Sequence, residues 1–212
     1  MKTASQVEKL ILNKNFKYSP PYFYNNELAL RCELGAGNDN KEYLRTAKSR
    51  ATQIFDILFN SGVDALFFDN YMYDNDFDAG EKVYINRIVA SEKRRLKFSL
   101  GYQKNFKHAV VRDIPFDKED IEELIKINRI VCYPDNQFDA GEIINSQIDG
   151  SENALIHFVS FEKECILSVY DDRGCDIVFF DKEKFKSFYP LLEKYFLGYD
   201  LELMKKRLAE AL

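Results

Sequence analysis

Histidine, glycine, proline and long apolar runs are scarce in this sequence of 212 residues. Two histidines offer little material for a metal centre or for a histidine-activated nucleophile. Nine glycines and five prolines are few beside the average composition, in which the two make up about 12%. This scarcity argues against disorder and long flexible linkers. No run of 18 apolar residues occurs, so no transmembrane helix is predicted and no membrane partner is expected.

Targeting and redox signals are also sparse. The apolar run near the N-terminus, Leu10-Ile11-Leu12, is too short for a signal-peptide core, so a cytoplasmic location is predicted. None of the four cysteines forms a C-x-x-C pair, and we expect reduced, buried thiols rather than disulfides or zinc ligands. No cofactor is predicted. The cysteines are Cys32, Cys132, Cys165 and Cys175.

The chain is acidic, and its charge is unevenly distributed. Thirty basic and 35 acidic residues give a net charge of −5, which repels phosphate backbones, so nucleic acid is not expected as the main partner. Residues 91–112 contain seven basic side chains and one acidic one, whereas residues 69–81 contain five acidic side chains and no basic one. These segments are interpreted either as partner-binding patches or as two solvated edges.

Hydrophobic periodicity predicts an α+β fold, mainly an antiparallel sheet with a C-terminal meander, flanked by helices. A single domain over residues 1–212 is expected, with two lobes hinged near residues 73–92 as a variant of it. Alternating patterns predict strands at 28–34, 63–72, 96–102, 108–114, 154–160, 165–170 and 175–180. Helical spacing predicts helices from residue 5 and at 44–58, 117–127, 182–197 and 200–211.

Three aspartates resemble the start of a calcium loop. Asp74, Asp76 and Asp78 occupy positions 1, 3 and 5 of such a loop. Ala79 stands where the loop requires glycine, and Ile85 stands where it requires glutamate. An exposed acidic loop is therefore favoured over a metal site at these residues.

A second polar segment, Tyr170-Asp171-Asp172-Arg173-Gly174-Cys175-Asp176, lies between two predicted strands. Its first Asp and its Gly suit a type I turn, with Gly174 at positive φ. The same segment also supplies a carboxylate pair beside an arginine, a combination that serves acid–base or phosphate chemistry. The turn is the favoured interpretation, and the polar cluster is the alternative. The weak candidates for catalysis are Asp171, Asp172, Arg173 and Asp176, with Arg31 and Glu33 on one face of a predicted strand.

Several of these segments resemble a bacterial family, domain of unknown function 3885. The long motif Tyr170–Asp176 carries most of the resemblance, which covers roughly residues 23–68 and 150–200. It implies a cytoplasmic bacterial protein, assigns no activity, and makes Asp171, Asp172, Arg173 and Glu33 important for either fold or function. The supporting segments are Arg31-Cys32-Glu33-Leu34-Gly35, the helix Arg50–Phe55 with Leu58-Phe59, Tyr189, Tyr195 and Gly198-Tyr199-Asp200.

The favoured function is a non-catalytic protein-binding module of the immunity or antitoxin kind. Acidic charge, segregated patches, 13 Tyr and 18 Phe support it, because aromatic residues are enriched at interfaces. The alternative is a metal-assisted hydrolase or phosphate-processing enzyme that uses the cluster of Asp171, Asp172, Arg173 and Asp176. A homodimer packed through the C-terminal helix is a third, structural option.

Overall fold

The computed structural model describes residues 21–73, 106–114, 124–134, 139–150 and 155–212. In these residues the fold is α+β, with helices on an antiparallel sheet, as predicted. The strands are β1 Ala29–Glu33, β2 Ala65–Tyr73, β3 Phe106–Ile114, β4 Leu124–Pro134, β5 Leu155–Ser160, β6 Cys165–Val169 and β7 Gly174–Phe179. The helices are α1 Tyr22–Asn25, α2 Asn40–Phe59, α3 Ala140–Ile148, α4 Lys182–Leu192 and α5 Leu201–Ala211, with short 3₁₀ turns at Glu193–Tyr195 and Gly198–Asp200.

The seven described strands form one sheet in the order β1-β7-β6-β5-β2-β4-β3. Every neighbouring pair is antiparallel. The predicted C-terminal meander is confirmed, because β5, β6 and β7 are consecutive neighbours. Strand β1 joins the meander beside β7, so the beginning and the end of the described sequence meet in the sheet.

One face of the sheet carries the hydrophobic core. Phe158 of β5, Leu167 of β6 and Ile177 of β7 are paired in register and fully buried. Paired residues project to the same face, so the three side chains form an apolar row. The rings of Phe55 and Phe59 on α2 lie 5.0 and 6.0 Å from the Phe158 ring. Helix α2 therefore covers this face.

Helix α2 follows its sequence pattern closely. The Asp39 carboxylate caps its first turn by accepting a hydrogen bond of 2.8 Å from the Glu42 amide. Ala47, Ala51 and Ile54, spaced four and three residues apart, are fully buried. The helix predicted over 44–58 is thus confirmed and extended to residues 40–59.

The opposite face of the sheet is polar. Arg31, Asp176, Ser168 and His157 lie side by side on β1, β7, β6 and β5, and the row continues to Phe67 on β2. Helix α1 packs over this row and contributes a backbone amide and a tyrosine to it. The pleat therefore places the predicted candidate residues away from the apolar core.

The outer edge of β1 is covered by the C-terminal segment. The amide of Leu197 donates a hydrogen bond of 3.0 Å to the carbonyl of Arg31, and Phe196 forms a β-bridge with Cys32. The guanidinium of Arg207 on α5 donates to the carbonyls of Ala29 and Phe23 at 3.1 and 2.9 Å. These contacts satisfy backbone groups that an open edge strand would expose to water.

Two predictions about local structure are wrong. Residues 124–127, predicted as the end of a helix, belong to strand β4, while residues 117–123 lie outside the described part of the chain. Gly174 has no positive φ, unlike Gly37, Gly62 and Gly150. The helix predicted from residue 5 and the strand at 96–102 also lie outside the described residues.

The cysteine prediction is confirmed for three of the four residues. Cys32, Cys165 and Cys175 are free and buried. No helix in the described ranges is long and apolar enough to cross a membrane.

Candidate functional site

Arg31 and Asp176 face each other across β1 and β7 and form a buried ion pair. Arg31 Nε donates to Asp176 Oδ1 at 2.8 Å, and Nη2 donates to Oδ2 at 3.0 Å. Their side chains are only 13% and 4% exposed. In an antiparallel ladder, hydrogen-bonded and non-hydrogen-bonded pairs alternate. The pairs 28/179 and 34/173 are hydrogen-bonded through their backbones, so the pair 31/176, three residues from each, is a non-hydrogen-bonded pair. Side chains approach most closely at such positions, which favours a two-pronged contact.

The carboxylate of Asp176 is fully engaged. Besides its two bonds from Arg31, Oδ2 accepts a hydrogen bond of 3.0 Å from the amide of Phe23 on α1. Burial raises the pKa of Asp176, and the hydrogen bonds and charge of Arg31 act in the opposite direction. Asp176 therefore holds Arg31 and α1 in place and has no free oxygen aimed at solvent.

Aromatic rings surround the Arg31 guanidinium. Its Cζ lies 4.9 Å from the ring centre of Phe23, 4.7 Å from that of Tyr24 and 5.7 Å from that of Tyr170. Burial alone lowers the pKa of Arg31, but its hydrogen bonds and charge contact with Asp176 outweigh burial and the net direction is upward. Arg31 is thus a permanent cation held by one carboxylate and three rings.

A second carboxylate, Asp200, extends the cluster. Asp200 Oδ2 lies 3.8 Å from Arg31 Nη1, and Oδ1 accepts a hydrogen bond of 3.0 Å from the Tyr24 hydroxyl. Asp200 is 4% exposed, whereas its neighbour Tyr199 is 88% exposed. Asp200 therefore holds the Tyr24 hydroxyl beside the cluster, and the exposed Tyr199 precedes it directly in the chain.

A cavity of about 580 Å³ opens over this polar row, and we call it the Arg31 cavity. Four of the predicted candidates contribute to its wall, namely Arg31, Glu33, Arg173 and Asp176. Four of the six candidate residues of the enzyme hypothesis thus lie around one cavity, whereas Asp171 and Asp172 do not line it. The remaining lining residues are Pro21, Tyr22, Tyr43, Leu155, Ser168, Tyr170 and Leu197.

The loop Tyr170–Arg173 forms the mouth of the Arg31 cavity. The amide of Tyr170 donates to the carbonyl of Gly174 at 3.3 Å, and Asp171 accepts a bond of 2.8 Å from the Arg173 amide. Arg173 also pairs with Asp171 through its side chain, which is 75% exposed. Asp171 and Asp172 do not line the cavity wall, but their charges help to raise the pKa of Tyr43, which burial raises most.

Sequence reasoning missed a buried polar group further along the same face. His157 Nε2 lies 2.9 Å from Asp69 Oδ2, and the Tyr22 hydroxyl donates to the same oxygen at 2.8 Å. Only the cross-strand register could reveal this group, because Tyr22, Asp69 and His157 lie on separate elements.

Other candidates lie outside the site. Asp74, Asp76 and Asp78 fall in residues that the structure does not describe, so the calcium-loop interpretation stays a prediction. Within the described ranges, no three side chains of His, Cys, Asp or Glu are gathered to hold a metal ion.

Comparison with known proteins places the chain in a family. The family model described as Domain of unknown function (DUF3885) matches residues 9–200. The chain belongs to the DUF3885 family. This match also spans the middle of the sequence, which the motifs quoted above do not reach. Comparisons with curated proteins and with solved structures give no match.

The segments that carry the DUF3885 resemblance meet at Arg31. The first contains Arg31 itself, the long motif ends at Asp176, and the third ends at Asp200. These segments lie up to about 170 residues apart along the chain, yet their charged side chains form one cluster. The Arg31 cavity is therefore the candidate functional site.

We expect alkaline pH to destabilise the protein. Burial raises the pKa of Cys165 above its ordinary value of 9.0 and that of Tyr170 above 10.0. As the pH rises, the unfolded chain therefore loses these protons before the folded protein does. The free energy of unfolding keeps its full value below the ordinary pKa values and declines as the pH rises beyond them. The urea concentration at which half of the protein is unfolded should therefore decrease as the pH is raised from about 8 to about 10.5. The variant Tyr170→Phe should show a shallower decline and Tyr199→Phe an unchanged one; equal slopes in both would contradict this origin.

Proposed function

We propose that this DUF3885 protein is a non-catalytic protein-binding module, of the immunity or antitoxin kind, that binds its partner at the mouth of the Arg31 cavity. One observation carries the proposal. Exposed side chains border the buried ionic cluster: Tyr24, which contacts Arg31 and Asp200, is 47% exposed; Tyr199, next to Asp200 in the chain, is 88% exposed; and the side chain of Arg173, in the cavity wall, is 75% exposed. Tyrosine and arginine are the residues that most often dominate protein interfaces.

The bonding of the cluster also supports binding over catalysis. A general base needs a carboxylate oxygen that can accept a substrate proton. Both oxygens of Asp176 already accept hydrogen bonds, and Asp200 Oδ1 accepts one from Tyr24; Asp200 Oδ2 accepts none from the described residues, but it is buried 3.8 Å from Arg31 Nη1. The cluster is therefore better suited to stabilising a binding surface than to acid–base catalysis.

The charge of the mouth suggests the chemistry of the partner. Glu33, Asp171 and Asp172 lie near Arg173, whose charge Asp171 already neutralises, while Arg31, the other cation of the cavity wall, is paired with Asp176. The tyrosines around them add ring faces that attract cations. A partner with a basic, arginine- or lysine-bearing surface would complement this mouth in charge.

The proposal is tested by capturing the partner of tagged protein from its own host's lysate. A single stoichiometric protein should be recovered with the wild type and lost with Arg173→Ala, which removes the side chain that holds Asp171 at the mouth, or with Tyr199→Ala, which removes the exposed ring next to Asp200. Truncation of a central interface residue costs about 2 kcal/mol or more, a loss of about thirtyfold in affinity.

Lys163→Ala is the matched control for Arg173→Ala. Lys163 lies in the turn between β5 and β6, at the other end of the meander, and pairs with its neighbour Glu162 at 2.7 Å. Like Arg173, it is thus a loop cation with a local carboxylate partner. Recovery of the same protein by all variants, or turnover of a substrate without any partner, would overturn the proposal.

The convergence of Arg31, Glu33, Arg173 and Asp176 on one cavity favours a second candidate, a metal-assisted hydrolase or phosphate-processing enzyme. It requires hydrolysis of a phosphate ester such as p-nitrophenyl phosphate in the presence of Mg²⁺ or Mn²⁺. This activity should disappear in Glu33→Gln, whose half-exposed side chain lines the cavity and can be changed without breaking the buried ion pair. The homodimer through the C-terminal helix stays a prediction, although Met204 and Ala211 of that helix are buried within the chain itself.

A further inference from the structure

A second pocket, distinct from the Arg31 cavity, lies between α2 and the 3₁₀ turn Glu193–Tyr195. It encloses about 490 Å³, and we call it the α2 pocket. Three of its lining residues are cations, Arg45, Arg50 and Lys194, and none of the described residues that line it is a carboxylate. The remaining lining residues are Thr46, Ser49, Gln53 and Tyr195.

The helical repeat brings the α2 side chains to one stripe. Residues 45, 49 and 53 are each four apart, and 46 and 50 are likewise four apart, so all five project from neighbouring positions on one side of the helix. This stripe lies beside the face whose Ala47, Ala51 and Ile54 are buried against the sheet. The core packing of α2 therefore fixes the orientation of the stripe.

The floor of the pocket is rigid. The buried Tyr195 donates a hydrogen bond of 2.8 Å from its hydroxyl to Gln53 Oε1, and Gln53 Nε2 donates to Ser49 Oγ at 3.0 Å. The Lys194 ammonium lies 4.8 Å from the centre of the Tyr195 ring. Arg50 is held by the carbonyl of Glu33 at 3.3 Å. Since Ser49 Oγ accepts the hydrogen bond from Gln53, its own proton is available for a ligand.

The cations of the pocket are poorly neutralised. In the described part of the chain, no carboxylate lies within 4.0 Å of Arg45 or Lys194, and Glu33 only reaches 4.0 Å from Arg50. Elsewhere on the same helix, Lys48 pairs with Asp149 at 2.7 Å. Three cations gathered around one pocket repel each other, and in a protein of net charge −5 a bound anion would relieve that repulsion.

We infer that the α2 pocket binds a phosphate group, with Arg45, Arg50 and Lys194 as charged donors and Ser49 as a hydroxyl donor. Guanidinium groups match the geometry of phosphate oxygens, and the lysine adds a point charge. This site does not depend on the proposed binding module, because it shares no lining residue with the Arg31 cavity.

Isothermal titration calorimetry of the full chain tests this inference with three probes: inorganic phosphate, ADP and a phosphoserine peptide. At least one should bind, and Arg45→Gln/Lys194→Gln should weaken it by about tenfold or more. Lys205→Gln/Lys206→Gln removes the same charge from α5 and should leave the affinity unchanged. The probe that binds most tightly identifies whether the group comes from free phosphate, a nucleotide or a modified protein.

A second pair of variants separates charge from shape. Ser49→Glu places a carboxylate among the cations and should abolish phosphate binding, whereas Ser49→Gln is nearly the same size, carries no charge and should retain most of it. Thermal melts would show that both variants are folded. Absence of binding by all three probes, or equal losses in the α2-pocket and α5 variants, would overturn the assignment.

Discussion

Replacing Arg31 with methionine should destabilise the protein by about 3–5 kcal/mol, because it leaves the buried Asp176 carboxylate without its counter-ion. Methionine retains much of the apolar stem of arginine, so the loss reports the missing charge rather than a cavity. Urea denaturation at neutral pH, followed by circular dichroism, measures this change in the free energy of unfolding.

A double variant identifies the cause of this loss. In Arg31→Met/Asp176→Leu both charges are absent, and much of the stability should return, since a hydrophobic pair of similar volume commonly replaces a buried ion pair without net cost. The amide of Phe23 then loses its acceptor and the buried Asp200 loses the nearby Arg31 cation, so the recovery should be incomplete. A loss below about 1 kcal/mol in Arg31→Met would show that the pair contributes little to folding.

Substituting Gly174 with alanine should destabilise the protein by about 1–3 kcal/mol through steric conflict. A β-carbon at this position would lie 2.8 Å from the carbonyl oxygen of Cys32 and would also clash with the Tyr170 hydroxyl. The Tyr170 ring could turn away, but the Cys32 carbonyl belongs to the adjacent strand and cannot move without distorting the β1–β7 pairing. The free energy of unfolding again measures the effect.

Gly198→Ala provides the comparison for Gly174→Ala. No atom lies within 4 Å of a β-carbon built at Gly198, and its φ is not positive, so this variant should be neutral or slightly stabilising. Tyr170→Phe/Gly174→Ala removes the hydroxyl and should recover part of the loss. If Gly174→Ala and Gly198→Ala behave alike, close strand approach is not the reason for the glycine.

Much of the fold could be predicted from local pattern. The alternation around Arg31 and Glu33 placed both on one face of β1, and the spacing of Ala47, Ala51 and Ile54 gave α2. The meander followed from three short apolar runs separated by turn residues. In these segments the spacing of the apolar residues matches the face that is buried in the fold, so the sequence alone is enough to predict the secondary structure.

Where two local patterns compete, the prediction failed. Residues 124–127 follow an acidic segment that resembles the first turn of a helix, but they pair with β2 and β3 as part of β4. Helix α3 was not predicted, because Gly141 weakens the helical signal that Asp139 begins as its cap. In the first case, pairing with distant strands determines the structure. In the second case, the cap at Asp139 begins a helix despite the glycine that follows.

Only some residues of the candidate site could be predicted from the sequence, and the reason differs from that for the fold. Arg31, Glu33, Arg173 and Asp176 were selected as residue types suited to chemistry, and the register of β1 with β7 brings them together. Tyr22 and Ser168 have no such signal, since a tyrosine and a serine are common everywhere, and Asp200 was noted only as the end of a segment that resembles the family. Their role depends on distances between elements, which no local pattern encodes.

The position of β1 in the sheet has a consequence for how the protein is made. Its described ladder partner, β7, is separated from it by more than 140 residues, and its outer edge is covered by residues 196 and 197. During translation, Arg31 therefore emerges from the ribosome long before Asp176 and Asp200 exist. The meander of β5–β7 can form as soon as it is synthesised, whereas the cluster must wait until Asp200 has been added. A product that ends before residue 174 would consequently lack the surface assembled around Arg31, so this surface can form only after residues 174–200 have left the ribosome.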